Sequence, residues 1–69
     1  MTKYIISSGT SVVSELLEIE QSVTVTVTNE ADKALSFNTI GEAMLEASKI
    51  NKILGSHHYR AMPIEVNKN

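Results

Sequence analysis

The stretch VTVTVT, residues 23–28, alternates valine and threonine without interruption. Successive side chains of a β-strand point to opposite faces, so this period of two predicts a strand with its valines on a core and its threonines toward water or a polar neighbour. A strand that is buried on both faces is more often apolar throughout. The pattern therefore predicts a sheet with one covered face, and it leaves open whether this strand is internal or forms a free edge.

The segment from Thr39 to Gly55 carries helix signals at both ends. Thr39 can cap the first turn while Glu42 reaches back to the Thr39 amide, as in a capping box, and Gly55 supplies the left-handed residue that ends many helices. Early glutamates and late lysines complement the helix dipole. Apolar residues recur at spacings of three and four, which predicts one stripe that faces the sheet: Ile40, Ala43, Met44, Ala47, Ile50 and Leu54.

Three further segments have strand character. Residues 3–7 are rich in β-formers and are followed by turn residues. Residues 11–20 fit either a helical stripe or a strand face, and their β-branched start favours a strand. The last candidate strand contains Ile64 and Val66, and Pro63 should lie at its start or on a sheet edge because proline has no amide hydrogen to donate.

These elements predict a single α+β domain over residues 1–69 in the order β-β-β-α-β. We expect a small two-layer domain in which one helix packs on one face of an antiparallel or mixed sheet of three to four strands. A chain of 69 residues buries only about 60% of the surface that its unfolded form exposes. There are no cysteines to reinforce it with disulfides. Oligomerisation is another common way to stabilise so small a domain, which predicts a homodimer.

The start of the chain has only a short apolar run after Lys3, and no segment approaches the roughly 20 apolar residues of a membrane span. We therefore expect a soluble, cytoplasmic protein that does not bind membranes. The net charge of −2 is unevenly distributed, because residues 1–32 are acidic on balance and residues 33–69 are basic on balance. Such an asymmetry either covers solvated faces or attracts different partners to the two ends.

A resemblance to known proteins spans most of the chain. Its features are a β-rich first half, Ala34 and Phe37 just before the Glu42–Ala43 start of the helix, and a short closing strand, in the segments KYIIS, TNEADKALSFNTIGEAMLEA and IEV. The chain thus resembles small uncharacterised proteins encoded by phages and prophages of Gram-positive bacteria. The resemblance implies a small α+β cytoplasmic protein that acts in an infected or lysogenic cell, and it supplies no catalytic residues.

Reactive side chains cluster only at His57, His58, Tyr59 and Arg60. Adjacent histidines diverge on a strand and lie about 100° apart on a helix, so they chelate one metal ion poorly without further ligands. We interpret the cluster as a solvated loop in which Tyr59 packs, or alternatively as a binding patch in which Tyr59 and Arg60 contribute most.

The other chemical patterns have structural explanations. The serines at 7, 8, 11 and 14 fit turn formation and capping, and the glycines are isolated rather than gathered in a phosphate-binding loop. We therefore expect no enzyme, no catalytic residues, no cofactor, no metal and no small-molecule substrate.

Two functions remain. The first is a protein-interaction module that self-associates or binds another protein, in which the Val/Thr strand or its neighbour pairs with a second chain. The alternative is weak nucleic-acid binding by the basic helix end around Lys49, Lys52 and Arg60, against which the net negative charge argues. The expected partner contacts lie on the strand, on the helix and after it: Thr24, Thr26, Thr28, Leu45, Tyr59 and Arg60.

Overall fold

The computed structural model describes residues 1–20 and 22–65. Five strands form one antiparallel sheet and a single helix packs across one face, so the predicted α+β architecture is confirmed. The ambiguous segment after residue 10 is a strand. The order is β1 (Thr2–Ser8), β2 (Ser11–Ile19), β3 (Ser22–Thr28), a 3₁₀ turn (Ala31–Lys33), β4 (Ser36–Phe37), α1 (Ile40–Leu54) and β5 (Tyr59–Glu65).

β1 is the central strand of the sheet. β5 pairs with it along its full length. On the opposite edge of β1, β2 pairs only at Ser7 and Ser8, and the two-residue strand β4 pairs at Tyr4 and Ile5. β3 pairs with β2 alone. β3 and β5 are therefore the outermost strands, one on each side of β1.

The β2–β3 hairpin extends beyond the rest of the sheet. Its register shifts between Val13 and Glu15, just after the pairing of β2 with β1 ends. Such a bulge bends a strand and increases its twist. The hairpin then continues to a turn at Glu20, whose φ of 57° is left-handed. The molecule is correspondingly elongated, with extents of 40 × 23 × 21 Å.

A small aliphatic core joins the helix to the sheet. Within residues 1–20 and 22–65, the buried hydrophobic side chains are Ile5, Ile6, Val13, Ala43, Ala47 and Ile50. Around the cluster of Ile6, Val13, Ala47 and Ile50, four partly exposed side chains complete the packing: Leu16, Val25, Phe37 and Tyr59.

β1 is covered on both faces, by different parts of the chain. Ile6 packs in the cluster with Ile50 of α1, so the face of β1 that carries Ile5 is turned away from the helix. Ile5 is nevertheless only 2% exposed, and it lines a cleft together with Ala31 and Ala34. The segment around the 3₁₀ turn, which the sequence analysis did not predict, therefore covers the second face.

The predicted helix is confirmed, with one correction to its cap. The Thr39 hydroxyl oxygen accepts a hydrogen bond from the Glu42 amide at 3.2 Å, and Gly55 ends the helix at φ 64° and ψ 38°. The Glu42 carboxylate, however, accepts a 3.1 Å hydrogen bond from the Thr39 hydroxyl instead of reaching the Thr39 amide. Both side chains still hold the first turn.

The predicted apolar stripe of α1 is too broad. Ala43, Ala47 and Ile50 are buried, whereas Ile40 and Met44 are 40% and 58% exposed. Leu54 is also exposed, in the last turn. Two alanines at the contact let the helix lie close to the sheet, so only a narrow strip of its surface is covered.

The valine face of β3 is also less buried than predicted. Val23 and Val25 are half-buried, and Val27 is 45% exposed. The reason is that α1 packs mainly against β5 and β1 and contacts β3 less extensively. Pro63 lies on an edge strand, as expected, whereas Val66 falls outside the described residues.

Ile50 offers a direct test of the core. Replacing it with alanine removes a fully buried side chain and should lower the free energy of unfolding by about 2–5 kcal/mol. Ile50→Asp should prevent folding, because it buries a charge without a partner. Urea unfolding followed by circular dichroism measures both. Leu45→Ala is the control, since Leu45 is 66% exposed and should change stability by no more than about 0.5 kcal/mol. Equal losses at positions 45 and 50 would contradict the assigned core.

Candidate interaction edge of the sheet

The sheet has two outer edges, and each can present unpaired backbone amides and carbonyls. Such an edge is a template for pairing with a strand of another chain unless the protein protects it. The two edges of this sheet, β5 and β3, differ in how they are protected.

The edge formed by β5 is blocked at two positions. The Tyr59 amide donates to Asn51 Oδ1 at 3.1 Å, and Asn51 Nδ2 donates to the Tyr59 carbonyl at 2.9 Å. The Tyr59 amide therefore points away from β1. Because successive amides of a strand point to alternate edges, the outer edge continues through Ala61 to position 63, where proline has no amide hydrogen. An approaching strand would find few donors here.

The edge formed by β3 has no comparable protection. Its seven residues, SVTVTVT, include no charged residue and no proline, which are two devices that natural proteins use to blunt edges. Within the part of the chain that the structure describes, β3 pairs only with β2. Every second amide and carbonyl of β3 is therefore directed outward along a run of roughly 23 Å.

The threonines lie on the sheet face opposite the helix. Thr24 and Thr26 are exposed, as predicted. Thr28 is half-buried, and its hydroxyl accepts a 3.2 Å hydrogen bond from the Glu30 amide, so it helps to hold the chain after β3. Opposite Thr24 on β2 stands Leu17, which is 50% exposed. This face of the hairpin thus mixes polar and apolar side chains.

The other face of the hairpin is tied to the helix by charges. Lys49 Nζ lies 3.1 Å from a Glu18 carboxylate oxygen and 3.4 Å from one of Glu46. The hydrogen bond that Lys49 donates to Glu18, followed by the one that it donates to Glu46, raises the pKa of Lys49 above its ordinary value. Lys49 is therefore engaged by two carboxylates on the β2–β3 side of α1.

The remaining predicted contact residues do not join the threonines. Leu45 is 66% exposed on α1, and Tyr59 packs partly buried against the core. Arg60 pairs with Ser7 across β1 and β5, at the opposite side of the sheet from β3. The six expected contacts therefore occupy several separate surfaces. Asn51, which protects the β5 edge, was not predicted. Its hydrogen bonds to Tyr59 depend on how the helix packs against β5.

Comparisons with known proteins give no significant match to this chain among protein-family models, curated proteins or solved structures. The resemblance to phage-encoded proteins stays a prediction.

No helix of the described residues is long and apolar enough to cross a membrane. Across residues 1–20 and 22–65, no three His, Asp or Glu side chains are grouped so as to hold a metal ion.

Asn51→Ala tests the protection of the β5 edge. The substitution removes both hydrogen bonds to the Tyr59 backbone, so the free energy of unfolding should fall by about 1–3 kcal/mol. Amide exchange at Tyr59 should also become faster. Asn38→Ala is the control, because Asn38 only accepts a hydrogen bond from Lys3 at an exposed site. If the two variants had the same stability and the same exchange rate at Tyr59, the protective role of Asn51 would be wrong.

Proposed function

We propose that this chain is a protein-interaction module that self-associates by antiparallel pairing of β3 with β3 of a second copy. The observation that carries the proposal is the difference between the two edges. One is closed by Asn51 and Pro63, and the other, Ser22–Thr28, is long, uncharged and unpaired among the described residues. The function of such a protein is then to bring two copies together in one continuous sheet.

Two-fold symmetry suits this strand. Antiparallel pairing of β3 with itself uses the same surface on both copies, which is the geometry of an isologous dimer. The threonine face of one strand then continues into the threonine face of the other. No residue of Ser22–Thr28 is charged, so no like charges stand directly opposite each other within the paired segment.

The small size of the core supports the same proposal. Only a short list of aliphatic side chains is buried in the described residues, and domains of this size commonly gain stability by association. Burial in the core contributes little to the stability of the outer half of the hairpin, because Leu17 and Ile19 are 50% and 67% exposed. Pairing would give β3 a second neighbouring strand and would hold this part of the hairpin in a wider sheet.

The nucleic-acid alternative has less support. Its basic surface included Lys49, which is engaged by Glu18 and Glu46. The two hypotheses also differ in their response to salt. Phosphate contacts weaken steeply as salt rises. Strand pairing does not depend on opposite charges, and added salt would screen the repulsion between Glu20 and Glu30 at the two ends of β3.

Self-association is tested by light scattering after size exclusion, over a concentration series at low and moderate salt. We expect the mass to rise from the 7.6 kDa of one chain toward twice that value at both salt concentrations. A monomer at every concentration would overturn self-association and leave pairing with a different protein to be tested. A dimer that dissociates steeply with salt would contradict backbone pairing as its basis.

Paired substitutions locate the interface. Thr24→Lys with Thr26→Lys places four lysines together across an antiparallel β3–β3 pair and should raise the dissociation constant at least about tenfold. Folding should be retained, since Thr26 faces Glu15 on β2. Thr10→Lys is the matched control, because Thr10 is exposed in the β1–β2 turn. Equal dissociation constants for the double variant and the control would exclude β3 as the interface.

A further inference from the structure

A polar pocket lies at the end of the sheet remote from the outer hairpin. Its volume is about 360 Å³, and it is lined by Ser7, Gly9, His57, His58 and Arg60. Two separate parts of the chain form it, the β1–β2 turn and the loop between α1 and β5. The pairing of Ser7 with Arg60 brings the two parts together.

The lining of this pocket is suited to a negative charge. Arg60 carries a permanent positive charge, and histidines are hydrogen-bond donors that can also become cationic. None of the lining residues is acidic, although the whole chain has a net charge of −2. The pocket is therefore lined by basic and neutral donors without an acidic group, on a protein whose net charge is negative.

The donors of the pocket are also free to bind a ligand. Within residues 1–20 and 22–65, the side chains of Ser7, His57, His58 and Arg60 make no hydrogen bond or ion pair with other protein groups. The charged groups at the opposite end of the β1–β5 pair are already engaged. Glu65, for example, is held by the Thr2 hydroxyl and the N-terminal amine, whose hydrogen bonds lower its pKa.

The shape of the turn leaves room for an anion. Gly9 has a φ of 64°, and no atom lies within 4 Å of the position where its Cβ would stand. Thr10 has a negative φ, because Glu20 is the only non-glycine residue with a positive φ among the described residues. These signs are those of a type II′ turn, in which glycine leaves the backbone beside the pocket uncovered.

We propose that this pocket binds a phosphate group, with the Arg60 guanidinium as its main partner. Guanidinium presents donors in a planar fork that matches two phosphate oxygens. The two histidines and the Ser7 hydroxyl supply further donors around the same anion. The proposal is independent of self-association, because β3 and this pocket lie on opposite sides of the sheet.

A neighbouring groove indicates the kind of molecule that could carry the phosphate. His57 and Arg60 also line a second, open groove of about 470 Å³, which continues along apolar side chains such as Ile40, Met44 and Ala61. A phosphate monoester of a small organic molecule would place its phosphate beside His57 and Arg60 and its body along this groove. Inorganic phosphate would occupy the polar pocket alone.

The test is a titration followed by amide NMR shifts, with ionic strength held constant by sodium chloride. Inorganic phosphate and adenosine monophosphate are the two probes. We expect saturable shifts at Gly9, His57 and His58, with tighter binding of the monoester. Arg60→Gln should weaken binding of both probes about tenfold. Lys52→Gln is the matched control, because it removes one exposed positive charge outside the pocket.

Each outcome bears on the proposal. Shifts that do not saturate, or that weaken equally in Arg60→Gln and Lys52→Gln, would show general charge attraction and overturn it. A third titration uses a single-stranded oligonucleotide. Shifts in the same loop with this probe only, lost steeply with salt, would replace the small phosphate site with a nucleic-acid surface. Retained chemical-shift dispersion in Arg60→Gln would confirm that the variant is folded.

Discussion

The burial of β1 on both faces is the constraint on which the rest of this small domain depends. Ile6 faces the helix and packs with Ile50, whereas Ile5 faces the segment around the 3₁₀ turn. β1 therefore packs against the helix on one face and against the segment around the 3₁₀ turn on the other. β5 covers one edge of β1 completely, but β2 and β4 share the other edge. Because β2 pairs with β1 over two residues only, it diverges after its bulge, and the hairpin that it forms with β3 extends away from the core.

This divergence explains why the two sheet edges differ. β5 lies under the helix, so a helix side chain, Asn51, can reach its backbone and satisfy both polar groups of Tyr59. β3 lies at the margin of the helix, and the ion pair between Lys49 and Glu18 ties the helix to the neighbouring strand β2. These charges hold the face of the hairpin but leave its edge open. The same arrangement leaves Leu17 and Ile19 in the outer part of the hairpin exposed, so this part would gain from a neighbouring strand.

Elements with a local sequence signal, such as a helix cap or an alternating pattern, were predicted correctly. The caps at Thr39 and Gly55 define the helix, and the alternation in residues 23–28 correctly separates the two faces of β3. Features that arise from long-range packing were missed. A two-residue strand such as β4 has no periodicity to detect, and the exposure of Met44 depends on how far the helix extends over the sheet. The candidate edge was suggested by its composition, but that β3 lies at an edge follows only from the topology. The proximity of Ser7 to His57 and Arg60 likewise depends on the register of β1 and β5.

The most direct test of the central claim, that β3 is the open edge of this sheet, is residue-resolved amide hydrogen exchange at low and high protein concentration. The outward-pointing amides of Ser22–Thr28 alternate with those that pair with β2, so they should exchange rapidly when the protein is dilute and become protected as it associates. The Ala61 amide on the opposite edge should exchange at the same rate at both concentrations. Amides of β3 that exchange equally fast at every concentration, or protection that appears at Ala61 instead, would contradict the account.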